Sequence, residues 1–141
     1  NINEANAAGY IYWLMAWHDG NDDAMIKLSS AGAYTLTPFY YVMKHFSKEI
    51  DRGYIRVNVL SPWIPMSGFI DPSGKKIVIV AVNPNDVATN YTFPVTGKTV
   101  KTIRAAQTDE VNHYTEIQPV GTDKYIIQKP KSVTTVVLEL L

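Results

Sequence analysis

The sequence predicts a mainly β protein: an antiparallel β-sandwich over about residues 52–141, preceded by a β/α segment over about residues 1–51. Three observations carry this. Short strand-like runs separated by turn signals recur from residue 54 onward. The run GYIYWLMAWHD (9–19) is apolar on both strand faces, the pattern of a covered parallel strand. A helical apolar period opens just after Thr37-Pro38.

Asn3–Ala8 reads as the end of a helix that leads through Gly9 into a strand at about 10–17. Strand parity places Tyr10, Tyr12, Leu14 and Ala16 on one face, and Ile11, Trp13, Met15 and Trp17 on the other. Such a strand needs neighbours and covering layers, so the isolated chain is expected to self-associate. Asp19–Thr37 reads as a long polar loop broken by Gly20 and Gly32. Thr37 is an N-cap residue and Pro38 suits the first helical position. A helix is therefore expected over about 38–50, with Phe39, Val42, Met43, Phe46 and Ile50 on its apolar stripe. Lys44, His45 and Lys48 fall toward its C-terminal half, where positive charge suits the helix dipole.

From Gly53 the period changes to two. The expected strands are YIRVNVL (54–60), KIVIVAVN (76–83), NYTFPV (90–95), VKTIRAAQT (100–108), HYTEI (113–117), KYIIQ (124–128) and SVTTVVLEL (132–140). Turn chemistry separates them at Asp71-Pro72-Ser73-Gly74, Asn83-Pro84-Asn85-Asp86, Thr96-Gly97 and Gly121-Thr122-Asp123. Short strands at this spacing indicate a sandwich. The stretch around Pro62, Pro65 and Gly68 reads as loop, which makes Trp63 and Phe69 the exposed aromatic pair of the second half.

The chain has 141 residues, 46% hydrophobic and 18% charged, enough to bury a core. Thirteen basic residues balance thirteen acidic ones, so the electrostatic footprint of a nucleic-acid binder is missing and no nucleic-acid partner is expected. No apolar run reaches the ~18 residues of a membrane span. Cysteine is absent, which excludes disulfides and thiolate metal sites. Residues 1–8 lack the basic start and apolar core of a signal peptide, and the first residue is Asn. A processed product or a fragment is the expectation.

The run AGYIYWLMAW, a variable loop, and then PFYYVMKHFSKEIDRGYIRVNV resembles the end of a glycoside hydrolase family 30 enzyme. Members close a (β/α)8 barrel with an aromatic eighth strand, then a helix with a Y-V-M-x-x-F-S-K-F-I-R-P-G-Y type motif. A side β-domain follows, ending in an S-V-T-T-x-V strand. The helix motif stands here as Tyr41, Val42, Met43, Phe46, Ser47, Lys48, Ile50, Gly53 and Tyr54, with Arg56 and Val57 after it. The late strand stands as Ser132, Val133, Thr134, Thr135 and Val137. The departures are Glu49-Ile50-Asp51-Arg52 in place of F-I-R-P, and a longer loop over 19–37.

The resemblance implies that residues 1–51 are the last strand and helix of an incomplete (β/α)8 barrel and residues 52–141 its side sandwich. It implies a parent enzyme that hydrolyses β-linked plant-type glycans, of the xylan or β-glucan class, with retention. The implied partners are a polysaccharide or oligosaccharide and the missing N-terminal barrel portion. The implied location is secreted or cell-envelope.

Retaining glycosidases need two carboxyls about 5–5.5 Å apart. The family's two catalytic Glu residues sit on the fourth and seventh strands, upstream of residue 1, so no catalytic residue is expected in this chain. Glu4 falls in the helical segment before the eighth strand, at the wrong end of a barrel. What the resemblance leaves is a sugar contact. Barrel sites gather at the C-terminal ends of strands, where Trp13 and Trp17 lie, and a flat indole can stack on a pyranose ring. Position alone leaves Trp13 open between sugar stacking and filling the barrel interior, and the resemblance favours a floor beneath the cleaved sugar. Trp17 suits a sugar contact and packing under the following loop equally well. Members specific for glucuronoxylan carry an Arg four residues after the strand's Trp. Position 17 is Trp here, so glucuronate-directed cleavage is not expected.

Trp63 and Phe69 are candidate glycan contacts on the sandwich, whereas core packing explains Tyr91, Phe93, Tyr114 and Tyr125 more simply. No cofactor or metal is expected. His18, Asp19, Asp22 and Asp23 do not follow calcium-loop spacing. His45 and His113 read as surface or helix-end residues. Ser29-Ser30 and Ser132 lack an accompanying base, and no Gly-rich phosphate loop is present. The rival reading is a stand-alone carbohydrate-binding β-sandwich without hydrolytic activity.

Overall fold

The computed structural model describes residues 9–18, 20, 23–61 and 64–141, and it divides into two compact units, Asn1–Lys44 and His45–Leu141. The helix end expected at 3–8 lies outside the described residues.

The first unit holds a small sheet in the order β1-β2-β3 and the start of the helix α1 (Pro38–Ser47). Strand β1 (Ala16–His18) runs parallel to β2 (Ile26–Leu28), and β2 runs antiparallel to β3 (Tyr34–Leu36). The expected loop at 19–37 is thus partly a hairpin. Its turn closes where the Ser29 N–H donates to the Ala33 carbonyl (2.9 Å) and Ser29 Oγ accepts the Ala33 N–H (3.1 Å). Gly32 supplies a φ of 81° there, a conformation costly to residues with a Cβ. Each arm is only three residues long, too short for an alternation to stand out in a polar stretch.

The strand expected at 10–17 is reduced to Ala16–His18, and its faces are not covered. Ile11, Trp13, Met15 and Trp17 are 96%, 84%, 68% and 50% exposed. Among the described residues β1 pairs only with β2, and a three-stranded sheet of this size brings no second layer.

The helix opens at Pro38 as expected, with the Tyr40 N–H donating to the Thr37 carbonyl (3.1 Å). The Thr37 hydroxyl points elsewhere and donates to the Ala24 carbonyl (2.8 Å), which ties the helix entry to the residues before β2. Regular helix ends at Ser47, short of the expected Ile50. The expected apolar stripe is not its buried face: Phe39 and Val42 are exposed, and the buried residues of this stretch are the polar His45 and Glu49.

The second unit carries a six-stranded antiparallel sheet in the order β4-β5-β6-β11-β8-β9 and a two-stranded sheet β10-β7. The strands are β4 (Ile55–Val57), β5 (Met66–Ile70), β6 (Lys76–Asn83), β7 (Thr89–Tyr91), β8 (Val100–Thr108), β9 (Thr115–Ile117), β10 (Ile126–Gln128) and β11 (Ser132–Leu140). The three long strands β6, β8 and β11 match their expected bounds residue for residue. The unit is the expected mainly β, sandwich-like domain. Its core is Ile77, Ile79, Phe93, Ala105, Ile126, Val136, Leu138 and Leu140. Burying each large aliphatic side chain there contributes about 1.5–3 kcal/mol.

Strand β5 is a correction, because Pro65 and Gly68 made it read as loop. Gly68 is in a strand for a steric reason: a Cβ there would lie 2.4 Å from Val59 Cγ2 and 3.0 Å from Val57 Cγ2, so glycine lets the neighbouring chain approach. Phe69 consequently sits within β5, half-buried and paired with Arg56 and Val78, not at an exposed loop tip.

Candidate functional site

The first unit presents an aromatic strip that includes Trp13 and Trp17, the two tryptophans expected to contact sugar. The Tyr12 side chain and the carbonyls of Leu14 and Met15 anchor it. The Tyr12 hydroxyl donates to the Asp23 carbonyl (2.6 Å), and its ring stacks on Phe39 at 5.6 Å between centroids. The Met25 and Ile26 N–H groups donate to the carbonyls of Leu14 (3.0 Å) and Met15 (2.9 Å). Odd-numbered Ile11, Trp13, Met15 and Trp17 are left exposed. Trp13 precedes β1 and Trp17 lies at its centre, edge-on to His18 at 6.2 Å and in register with Lys27, which in turn pairs with Thr35. This surface offers flat apolar rings beside a hydroxyl and an ammonium, the elements that a sugar ring engages through stacking and hydrogen bonds. Trp63 and the acidic residues Asp19 and Asp22 lie outside the described residues.

In the second unit one polar cluster, built around His45 and Glu49, lies on the sheet face opposite the core. His45 is fully buried, which corrects its reading as a surface or helix-end residue. Its Nδ1 lies 2.7 Å from Thr135 Oγ1 and its Nε2 lies 2.8 Å from Thr108 Oγ1, while the Thr135 hydroxyl donates to the His45 carbonyl (2.9 Å). One turn later Glu49 accepts two hydrogen bonds from Arg104 (2.8 and 2.7 Å) and an ion pair from Lys76 (3.2 Å). Arg104, with burial opposing it and Lys76 adding to it, holds the Glu49 carboxyl below the usual carboxylate range.

Beside this cluster is a shallow cleft of about 80 Å³ lined by Lys48, Arg104, Tyr114, Glu116 and Thr135. The Lys48 ammonium sits 4.6 Å from the centre of the Tyr114 ring, which packs 4.8 Å from His45 on its own account. Burial pushes the Tyr114 hydroxyl up to about 12. Glu49 is thus an ionised, fully engaged carboxylate and has no proton to give. The sequence signal for this cluster was the polar pair His45 and Glu49 at i, i+4 on a helix whose other positions satisfied an apolar period.

The Thr-Thr pair of β11 explains its own motif. Thr134 faces the core, where its Oγ1 accepts from Gln107 Nε2 (2.9 Å), and Thr135 faces His45. Ser132 Oγ donates to the Lys129 carbonyl (2.6 Å) and closes the turn ahead of the strand. Among the described residues no three His, Asp or Glu side chains gather to hold a metal ion, and no helix is long and apolar enough to cross a membrane.

No family model matches the chain, and no curated protein matches it by sequence. Solved structures do match. The catalytic domain of GH30 xylanase C from Talaromyces cellulolyticus aligns with a TM-score of 0.83 at 20% identity, covering 97% of this chain and 32% of that one. A glycoside hydrolase family 30 subfamily 8 xylanase from Clostridium acetobutylicum aligns at 0.70 and 23% identity, covering 87% of this chain and 32% of that one. A GH51 α-L-arabinofuranosidase from Thermotoga petrophila aligns at 0.58 and 17% identity, covering 82% of this chain and 31% of that one. The chain spans about a third of the length of each of these structures. The likeness extends to hydrolases of different families, so it speaks to fold and leaves the sugar open. The chain therefore has the fold of roughly one third of a glycoside hydrolase family 30 xylanase catalytic domain.

Proposed function

We propose that this chain is the C-terminal part of a family 30-like retaining glycoside hydrolase that acts on β-linked glycans of the xylan or β-glucan class. The observation that carries the reading is that one alignment to a family 30 xylanase runs through both units and nearly the whole chain. The helix and strand motifs quoted above support the same family independently. On this reading residues 1–51 close a barrel, residues 52–141 form its side domain, and the two catalytic carboxyls belong to an N-terminal portion that is the chain's partner.

The exposed strip of Ile11, Trp13, Met15 and Trp17 suits this role. Large contiguous apolar surface marks an interaction site, here a barrel neighbour for part of the strip and a sugar for its tryptophans. Trp13 is the sugar floor and Trp17 a flanking contact. An enzyme of polymeric glycans acts where those polymers are, secreted or at the cell envelope. Phe69, half-buried in β5, is a poor glycan platform, which weighs against the stand-alone binding module.

The test is a chain extended upstream by the ~250 residues of a barrel, assayed on xylan and β-glucan with the product anomer followed by NMR. Cleavage with retention supports the reading, and a well-folded extended chain that cleaves neither glycan overturns it. In that chain Trp13→Ala is expected to lower kcat/KM while leaving the melting temperature unchanged. A loss of stability with unchanged kinetics assigns Trp13 to packing instead.

A further inference from the structure

Asn90-Tyr91-Thr92 is the only place in the sequence where an asparagine is followed, two residues on, by a serine or threonine, with no proline between. Such a triplet is the acceptor pattern for N-linked glycans, and the folded chain can carry the sugar only if the asparagine points outward. Strand alternation shows that it does. Phe93 belongs to the core and Tyr91 packs against it, the two rings meeting edge-on at 5.3 Å. The Tyr91 hydroxyl donates to Gln128 Oε1, whose residue is fully buried. Asn90 and Thr92, one residue out of step with this inward pair, lie on the opposite side, and both are exposed. Asn83 and Asn112, by contrast, commit their amide hydrogens within the protein, to the Val87 and Lys129 carbonyls and to the Asp109 carboxylate.

Across the ladder Asn90 stands opposite Ile127 of β10, a large apolar side chain that is 41% exposed. Directly opposed residues of an antiparallel pair share a face, with Cβ atoms about 4.5–5.5 Å apart. A sugar on Asn90 therefore begins beside Ile127 and shields it from solvent. It also stands on a sheet of only two strands, where bulk and hydration oppose pairing with another chain's edge.

We propose that Asn90 is an acceptor for an N-linked glycan, carried on the outer face of the β10-β7 sheet. The donor is an oligosaccharide joined through its anomeric carbon to a polyprenyl pyrophosphate, and an oligosaccharyltransferase makes the transfer. Asn90 Nδ2 forms a bond to that carbon and gives up one proton to a base of the transferase. The bond from carbon to the pyrophosphate oxygen breaks, and the lipid pyrophosphate leaves with the electron pair. The Thr92 hydroxyl is the group the transferase recognises and is unchanged at the end. Of the proposed function this uses only the secretory route, and nothing of the hydrolytic chemistry.

The test is translation of the 141-residue chain, behind a cleavable signal peptide, into endoplasmic-reticulum microsomes that hold donor and transferase. A single step up in mass is expected, removed by peptide-N-glycosidase and absent from Asn90→Gln and from Thr92→Ala. Because the experiment supplies its own secretory route, its failure leaves the hydrolase reading untouched. A wild type without the step, or a step that persists in Asn90→Gln, overturns the proposal, and neither readout depends on folding. After lysis of the microsomes the glycosylated chain is expected to resist trypsin as long as Asn90→Gln does. Faster digestion of the glycosylated chain overturns the placement of the glycan on the outer face.

Discussion

The two units are built on opposite terms. In the second, long strands satisfy one another's backbone, the core is aliphatic, and buried polar side chains such as Gln107, Gln128 and Asn83 all have partners. In the first, three-residue strands support a line of aromatics that face outward. The difference teaches that apolar content and burial are separate matters. The most apolar run of the sequence is among its most exposed surfaces, a sign that this surface is meant for something else.

The sharpest way to break the contrast is in the core. Leu138 is fully covered and pairs with Ile77 and Ile103 across its two neighbours. Leu138→Ala is expected to cost about 2–5 kcal/mol in the unfolding of the second unit, measured by urea titration.

A middle effect is expected at Glu49. Arg104→Met strands its covered carboxylate with Lys76 alone. Removing one partner of a buried pair costs about 3–5 kcal/mol, but Arg104 is half-exposed, so about 1–3 kcal/mol is expected. Glu49→Leu combined with Arg104→Met is expected to recover most of that loss, readable as a double-mutant cycle. Acid acts on the same pair. Because the Glu49 carboxyl is held below its ordinary value of 4.5, its contribution is complete above that value and fades as pH falls below it. The wild type is therefore expected to lose its advantage over Glu49→Gln only in that acid window.

The smallest effect is expected in the exposed strip. Trp17→Ala is expected to shift stability by no more than about 0.5 kcal/mol, since surface positions rarely do more. A large loss would mean that the ring is packed in solution and would erase the contrast between the units.

Much of the sandwich was legible because its chemistry is local. KIVIVAVN, VKTIRAAQT and SVTTVVLEL carry enough β-branched residues to set their own bounds, and Asp71-Pro72-Ser73-Gly74 builds its turn from its own side chain. Asp71 Oδ1 takes the N–H groups of Lys75 and Lys76, and with Ser73 these draw its carboxyl down to about 2. The misses depend on distant partners. Strand β5 exists because β4 and β6 flank it, and Gly68 admits Val57 and Val59, a contact no local window displays. His45 looked like a surface cation because Thr108 and Thr135 lie 63 and 90 residues away. The aromatic run looked like a covered strand because its composition records the environment it is suited to, and the described residues do not supply that environment.

The placement of β11 has a consequence for how the protein is made. This strand lies between β6 and β8, yet it follows every strand it joins. Until residues 132–140 leave the ribosome, β4-β5-β6 and β8-β9 are separate ribbons with their inner edges open. The sheet therefore assembles after the synthesis of those strands, and any product that stops short of β11 keeps two sticky edges instead of one sheet.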